Sequence, residues 1–141
     1  VYNMIFSAVP KQVVDVVWDD VVKVLKPAVD TAKGKLGIKD IKDYLSNGLY
    51  ELWVVMDGTK IVAAITTRII EYPERKALAM DFIGGERMKE WLPQAQKTIE
   101  QFAVDNNCSH LEGYGRKAWG RWLGKYGWEP DYIAYRMEIN G

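Results

Sequence analysis

The chain has 141 residues, with 19 Lys+Arg against 19 Asp+Glu, one His, one Cys and 48% hydrophobic residues. That size and balance describe a single soluble globular domain, able to bury a core without a metal or a disulfide. Cys108 alone excludes an internal disulfide and a Cys-based zinc cluster, His110 alone excludes a multi-His metal site, and zero net charge removes any bulk attraction to nucleic acid or anionic membrane.

No apolar run approaches the roughly 18 residues of a membrane span, and no signal-peptide pattern opens the chain, so a cytoplasmic protein is expected. Six tryptophans stand out, with Trp119, Trp122 and Trp128 close together near the C-terminus.

In chain order, Tyr2 to Ala8 reads as a strand ended by Pro10. From Lys11, Val13, Val14, Val17, Trp18, Val21, Val22 and Leu25 recur at helical spacing, with Asp15, Asp19, Asp20 and Lys23 between them. This predicts a helix to about Leu25, with Pro27 near its end. A loop over Lys33 to Gly37 and a short helix over Ile38 to Leu45 follow. Tyr50 to Met56, Lys60 to Tyr72 and Lys76 to Ile83 read as three antiparallel strands, joined at Asp57-Gly58 and Pro73-Glu74-Arg75.

Gly84-Gly85 breaks the third of these strands. Met88, Trp91, Leu92, Ala95, Ile99, Phe102 and Ala103 then trace a helical stripe. Pro93 belongs in a first turn, where its missing N–H costs nothing, so the helix is predicted to start near Lys89 or Glu90 with Gly84 to Met88 as a loop. Ser109 to Tyr114 reads as a strand, Arg116 to Tyr126 as a helix, and Tyr132 to Ile139 as a closing strand. The order is β-α-α-β-β-β-α-β-α-β.

His110, Glu112 and Tyr114 alternate along one strand and share a face, where polar groups need partners or a cleft. This is the clearest site signal in the chain. The Arg116–Tyr126 stretch interleaves four basic residues with aromatics. It is read as an amphipathic helix with Trp119, Trp122, Leu123 and Tyr126 on the sheet, or as a surface for nucleic acid or for the 3′-phosphate of a nucleotide. Cys108 reads as a small apolar residue.

Three antiparallel strands, then strand–loop–helix–strand–helix–strand, with Gly127-Trp128 after the last helix, resemble the GNAT N-acetyltransferase superfamily. Residues 83–91 and 115–128 are also similar to small GNAT-like proteins of tailed phages, which implies a virion as an alternative location. The resemblance implies an α/β domain with a mixed, curved sheet. It further implies acyl transfer from acetyl-CoA to a small-molecule or protein amine, with no metal.

By position, Ile83, Gly84, Gly85, Arg87, Met88 and Lys89 would seat the pyrophosphate of acetyl-CoA. The family's Arg/Gln-x-x-Gly-x-Gly/Ala pattern is absent there, and Glu86 brings a like charge. Glu112 or Asp81 would act as base and Tyr114 or Tyr126 as acid. Where the family keeps Asn, Ala and Tyr, this chain has Arg116, Trp119 and Leu123. The alternative is a non-catalytic GNAT-like module that binds a protein through Trp119, Trp122 and Trp128. Neither reading calls for a membrane or nucleic acid.

Overall fold

The computed structural model describes residues 4–32, 34–115 and 119–139; the side chains of Trp119 and Trp122 lie outside the described part. The elements are β1 (Met4–Val9), α1 (Val14–Val29), α2 (Ile38–Ser46), β2 (Glu51–Asp57), β3 (Lys60–Glu71), β4 (Lys76–Gly85), α3 (Met88–Asp105), β5 (His110–Gly113) and α4 (Trp119–Leu123). Short 3-10 turns precede and follow α1, and another, Gly124–Tyr126, follows α4. The predicted order is found up to α4. No described helix is long and apolar enough to cross a membrane.

One five-stranded sheet runs β1-β2-β3-β4-β5. Its pairs are antiparallel except β4 with β5, which is parallel, as α3 between them requires. Alternation sorts the side chains into two layers. Val54, Leu52, Ile61 and Ala64 meet Val21, Leu25 and Val29 of α1 and Ile41 and Leu45 of α2. Trp53, Val55, Ile65, Leu78 and Met80 meet Trp91, Leu92, Ala95 and Ile99 of α3.

β4 changes phase in mid-strand. Thr67 pairs with Met80 but Thr66 pairs with Phe82, so Asp81 is the extra residue of a β-bulge. Simple alternation would set Phe82 with Leu78 and Met80, opposite Asp81. Beyond the bulge Phe82 instead joins the α1 layer, and Ile83 joins Leu78 and Met80 in the α3 layer. Gly84 is thereby turned toward α1.

Three boundaries differ from expectation. Helix α1 continues through Pro27 to Val29, because Pro27 is on the exposed side while Val29 is buried. Gly84 and Gly85 are ladder residues of β4, paired with Ala64 and Ala63, and Met88 is already helical, so only Glu86 and Arg87 form the link. Helix α3 starts earlier than its proline suggests because Trp91, buried in the core, ties the first turn back through its Nε1 to Glu86 O at 2.8 Å.

The largest correction is the closing strand. Residues 132–139 form no strand, and all are exposed. Period-two alternation describes the faces of an extended segment, but a strand also needs a ladder partner, and among the described residues none pairs with it. The predicted Arg116–Tyr126 helix is found as α4 and its 3-10 turn; residues 116–118 are outside the described part.

Candidate functional site

β4 and β5 pair from Ala77 with His110 to Met80 with Gly113, and then they part. β5 ends at Gly113 while β4 runs on to Gly85. Among the described residues no strand takes β4's β5-facing edge from Asp81 to Gly85. The ends of adjacent parallel strands are where α/β folds commonly build sites.

The sheet face on the α1 side carries the polar residues here. Arg68 of β3 pairs with Ala79, which pairs in turn with Glu112. Arg68 Nε donates to Asp81 Oδ2 at 2.5 Å, and Asp81 is 8% exposed, so its charge is neutralised on the spot. Tyr50 lies in the field of the same carboxylate and is pushed up to about 12, chiefly by burial and then by the Asp81 charge. Its ring meets Tyr44 of α2, with centroids 5.1 Å apart.

Glu112 is the second centre. It accepts from His110 Nε2 at 2.8 Å, from Tyr72 at 2.9 Å and from Tyr114 at 3.1 Å. Burial pushes its carboxyl up, but the bonds from His110, Tyr72 and Tyr114 together outweigh it and hold the group below the usual carboxylate range. Tyr114 is pushed up to about 12 by burial and by its bond to Glu112. His110 Nδ1 lies 3.1 Å from the Ser109 hydroxyl, which also donates to Lys76 O. At neutral pH this is a carboxylate ringed by protonated hydroxyls.

Of the residues singled out from sequence, Asp81, Glu112 and Tyr114 lie on this face, with Arg68 of β3 bonded to Asp81 and within the field of Tyr114. Tyr126 does not; it packs in the α3 layer on the other face, beside Leu123 and Trp128. The last pair has a structural role. Gly127 takes a left-handed φ of 90°, and Trp128 Nε1 then donates to Gln96 Oε1 at 2.9 Å. Trp91 is in the α3 core, 2% exposed.

At the start of α3, Arg87 is the N-cap, with a left-handed φ of 61°. Its guanidinium donates to Asp57 at 2.7 Å and to Glu90 at 2.7 Å. Gly84 has no room for a side chain, since a Cβ would stand 2.2 Å from Val24 O. Glu86 N–H is taken by Val62 O at 3.0 Å. No cluster of His, Cys, Asp and Glu suited to a metal occurs among the described residues. A shallow hollow lined by Trp53, Lys97, Thr98, Gln101, Phe102 and Asp105 touches none of these groups.

Sequence reasoning missed Arg68, Tyr50 and Tyr72. A signal existed: Arg68 is the one cation between Ile61 and Ile70 of an Ile/Val/Thr-rich run, and a half-buried cation needs an acid on the next strand. Asp81 is the acid in reach.

Comparison with solved structures identifies the fold as GNAT-like. A GNAT family acetyltransferase from Staphylococcus aureus matches at TM-score 0.67 and 12% identity, over 96% of this chain and 98% of that one. An aminoglycoside acetyltransferase from an uncultured soil metagenomic sample, in complex with sisomicin, matches at TM-score 0.67 and 10% identity, over 97% of each chain. A protein described as a transcriptional regulator from Bacillus halodurans matches at TM-score 0.72 and 13% identity, over 97% of this chain and 100% of that one. No family model matches the sequence. No curated protein matches it either.

Proposed function

We propose that this chain is an N-acyltransferase that moves an acyl group from acyl-CoA to an amine. The observation that carries the reading is the polar cluster around Glu112 and Asp81 at the parting of β4 and β5. Acyl-CoA, when bound, supplies an activated thioester. The free β4 edge suits the peptide-like amides of its arm, so Ile83, Gly84 and Gly85 would line it through their backbone. The first-turn amides of Met88 and Lys89, with the Lys89 ammonium, would face the pyrophosphate. Arg87 would join them only on leaving Asp57 or Glu90. With Arg87 held by Asp57 and Glu90, the phosphate seat is small.

The chain's own groups divide the proton work. Glu112, ionised at neutral pH, attracts the substrate ammonium and takes its proton directly or through a water. Three donors make it a weak base, and Asp81, bound to Arg68, is less available still. Tyr114 stays protonated, and on turning its one hydroxyl proton away from Glu112 it would offer the departing sulfur a hydrogen bond, a role that Tyr126 on the opposite face would fill only from the α3 side.

The test is a titration of the purified protein with acetyl-CoA and CoA, followed by melting temperature and heat. Ligand at 100 times its dissociation constant stabilises by about 2.7 kcal/mol. An amine panel then seeks transfer, and it includes an aminoglycoside because one structural neighbour was solved with sisomicin. No stabilisation at millimolar acetyl-CoA would sink the reading.

A second reading, a non-catalytic GNAT-like module with a protein partner at the Trp119, Trp122 and Trp128 region, is favoured by the clamped state of Arg87. It predicts no response to CoA.

A further inference from the structure

The C-terminal segment is the molecule's largest surface anomaly. Tyr132, Ile133, Tyr135, Met137 and Ile139 are 87%, 69%, 89%, 83% and 84% exposed. Monomeric proteins rarely leave so continuous an apolar run in water. The pattern is that of a strand, with Ile133, Tyr135, Met137 and Ile139 alternating with Ala134, Arg136 and Glu138. Arg136 bonds Glu138 at 2.5 Å, and residues two apart share a face when the backbone is extended. This segment has one apolar face, one polar face and no ladder partner among the described residues.

The matching surface is on the same chain. Among the described residues β5 pairs with β4 on one side only, which leaves His110–Gly113 with an open backbone edge. Around it Leu111, Leu123, Tyr126 and Trp128 are only partly buried against the α3 layer, an apolar rim that one more strand would cover. The chain's own segment does not lie there. Trp128 is pinned by Gln96 and sits over Gly113, where an added Cβ would be 3.3 Å from its ring. From Glu129 to Ile139 every described residue is exposed.

We propose that residues 132–139 add to the β5 edge of a second copy, reciprocally, in a two-fold dimer. Among the described residues each copy offers the β5 edge, which alone carries the apolar rim, and an extended segment without a ladder partner, so a single two-fold contact pairs both, and zero net charge sets up no net repulsion between copies. Ile133, Tyr135, Met137 and Ile139 cover the apolar rim, and backbone pairing fixes the register. The proposal is independent of acyl transfer.

Light scattering and amide hydrogen exchange on the full chain test it. The expected particle has twice the 16.1 kDa chain mass, with the amides of 132–139 slowed at least ~10-fold relative to an unpaired chain. The double variant Ile133→Lys/Tyr135→Lys removes only exposed side chains, so it keeps the fold but runs as a monomer with fast exchange over 132–139. A monomeric wild type overturns the proposal, whether its 132–139 amides are slow, which means pairing with its own β5, or fast. A double variant that stays dimeric overturns it too, since the interface then lies elsewhere.

Discussion

Gly84 of β4 lies directly under Val24 of α1: a Cβ on Gly84 would stand 2.2 Å from the Val24 carbonyl oxygen and 3.1 Å from Leu25 Cα. Both are backbone atoms of a helix whose Val21 and Leu25 are fully buried, so neither can give way cheaply. Gly84→Ala should therefore destabilise by about 3 kcal/mol, the upper range for overpacking. Urea denaturation reads this as a lower midpoint. An unchanged midpoint would mean that α1 is not seated on β4.

The Arg68–Asp81 pair makes a second prediction. Asp81 is 8% exposed while Arg68 is 36% exposed, so losing the cation strands a buried carboxylate. Arg68→Met should cost ~2 kcal/mol, below the 3–5 of a fully buried pair. The double variant Arg68→Met/Asp81→Asn should recover much of that loss. A double-mutant cycle with no coupling would show that the two groups are independent.

Glu112 governs part of the acid limb. Its folded-state pKa is lowered, so in the window just below the ordinary 4.5 the native state binds fewer protons than the unfolded state. Its contribution is complete above that value and is lost as pH falls through the lower folded value. Glu51 is raised by burial and works in the opposite sense, gaining stability as it protonates. Glu112→Gln should therefore flatten the fall in stability below pH ~4.5 and leave the Glu51 component. Melting curves between pH 2 and 7 decide it; parallel profiles for wild type and variant would refute the assignment.

Thr66 is fully buried, and its hydroxyl has no hydrogen-bond partner among the described residues. Thr66→Val keeps the branched shape and removes an unpaired polar group, so stability should hold or rise by up to ~1 kcal/mol. A loss of that size would instead reveal a water bonded to the hydroxyl.

The sequence made some of this plain and hid the rest for physical reasons. Helical stripes such as Trp91, Leu92, Ala95 and Ile99 announced α3 because burial follows local spacing. The face shared by His110, Glu112 and Tyr114 was visible because alternation within one strand is local. The bulge at Asp81 was not, since an extra residue exists only relative to the neighbouring strand. The same reason hid Arg68 and Tyr72, which meet Asp81 and Glu112 through pairing across strands. Pro93 set the helix start one or two residues late because the Trp91 tie to Glu86 O depends on the burial of Trp91 in the α3 layer. Tyr132 to Ile139 misled most, since alternation shows readiness to pair and says nothing of a partner.

The bulge also divides β4 into two lengths with separate phases. Residues before Asp81 set their odd positions, Ala77 and Ala79, toward the polar cluster, while after it the even positions, Phe82 and Gly84, turn to α1. Deleting Asp81 would merge the two phases. One half of the strand would then have to slip by a residue, exposing either the cluster side or the seat of α1. The polar face and the helix seat therefore share one strand without sharing a register, and substitutions in either half should leave the other undisturbed.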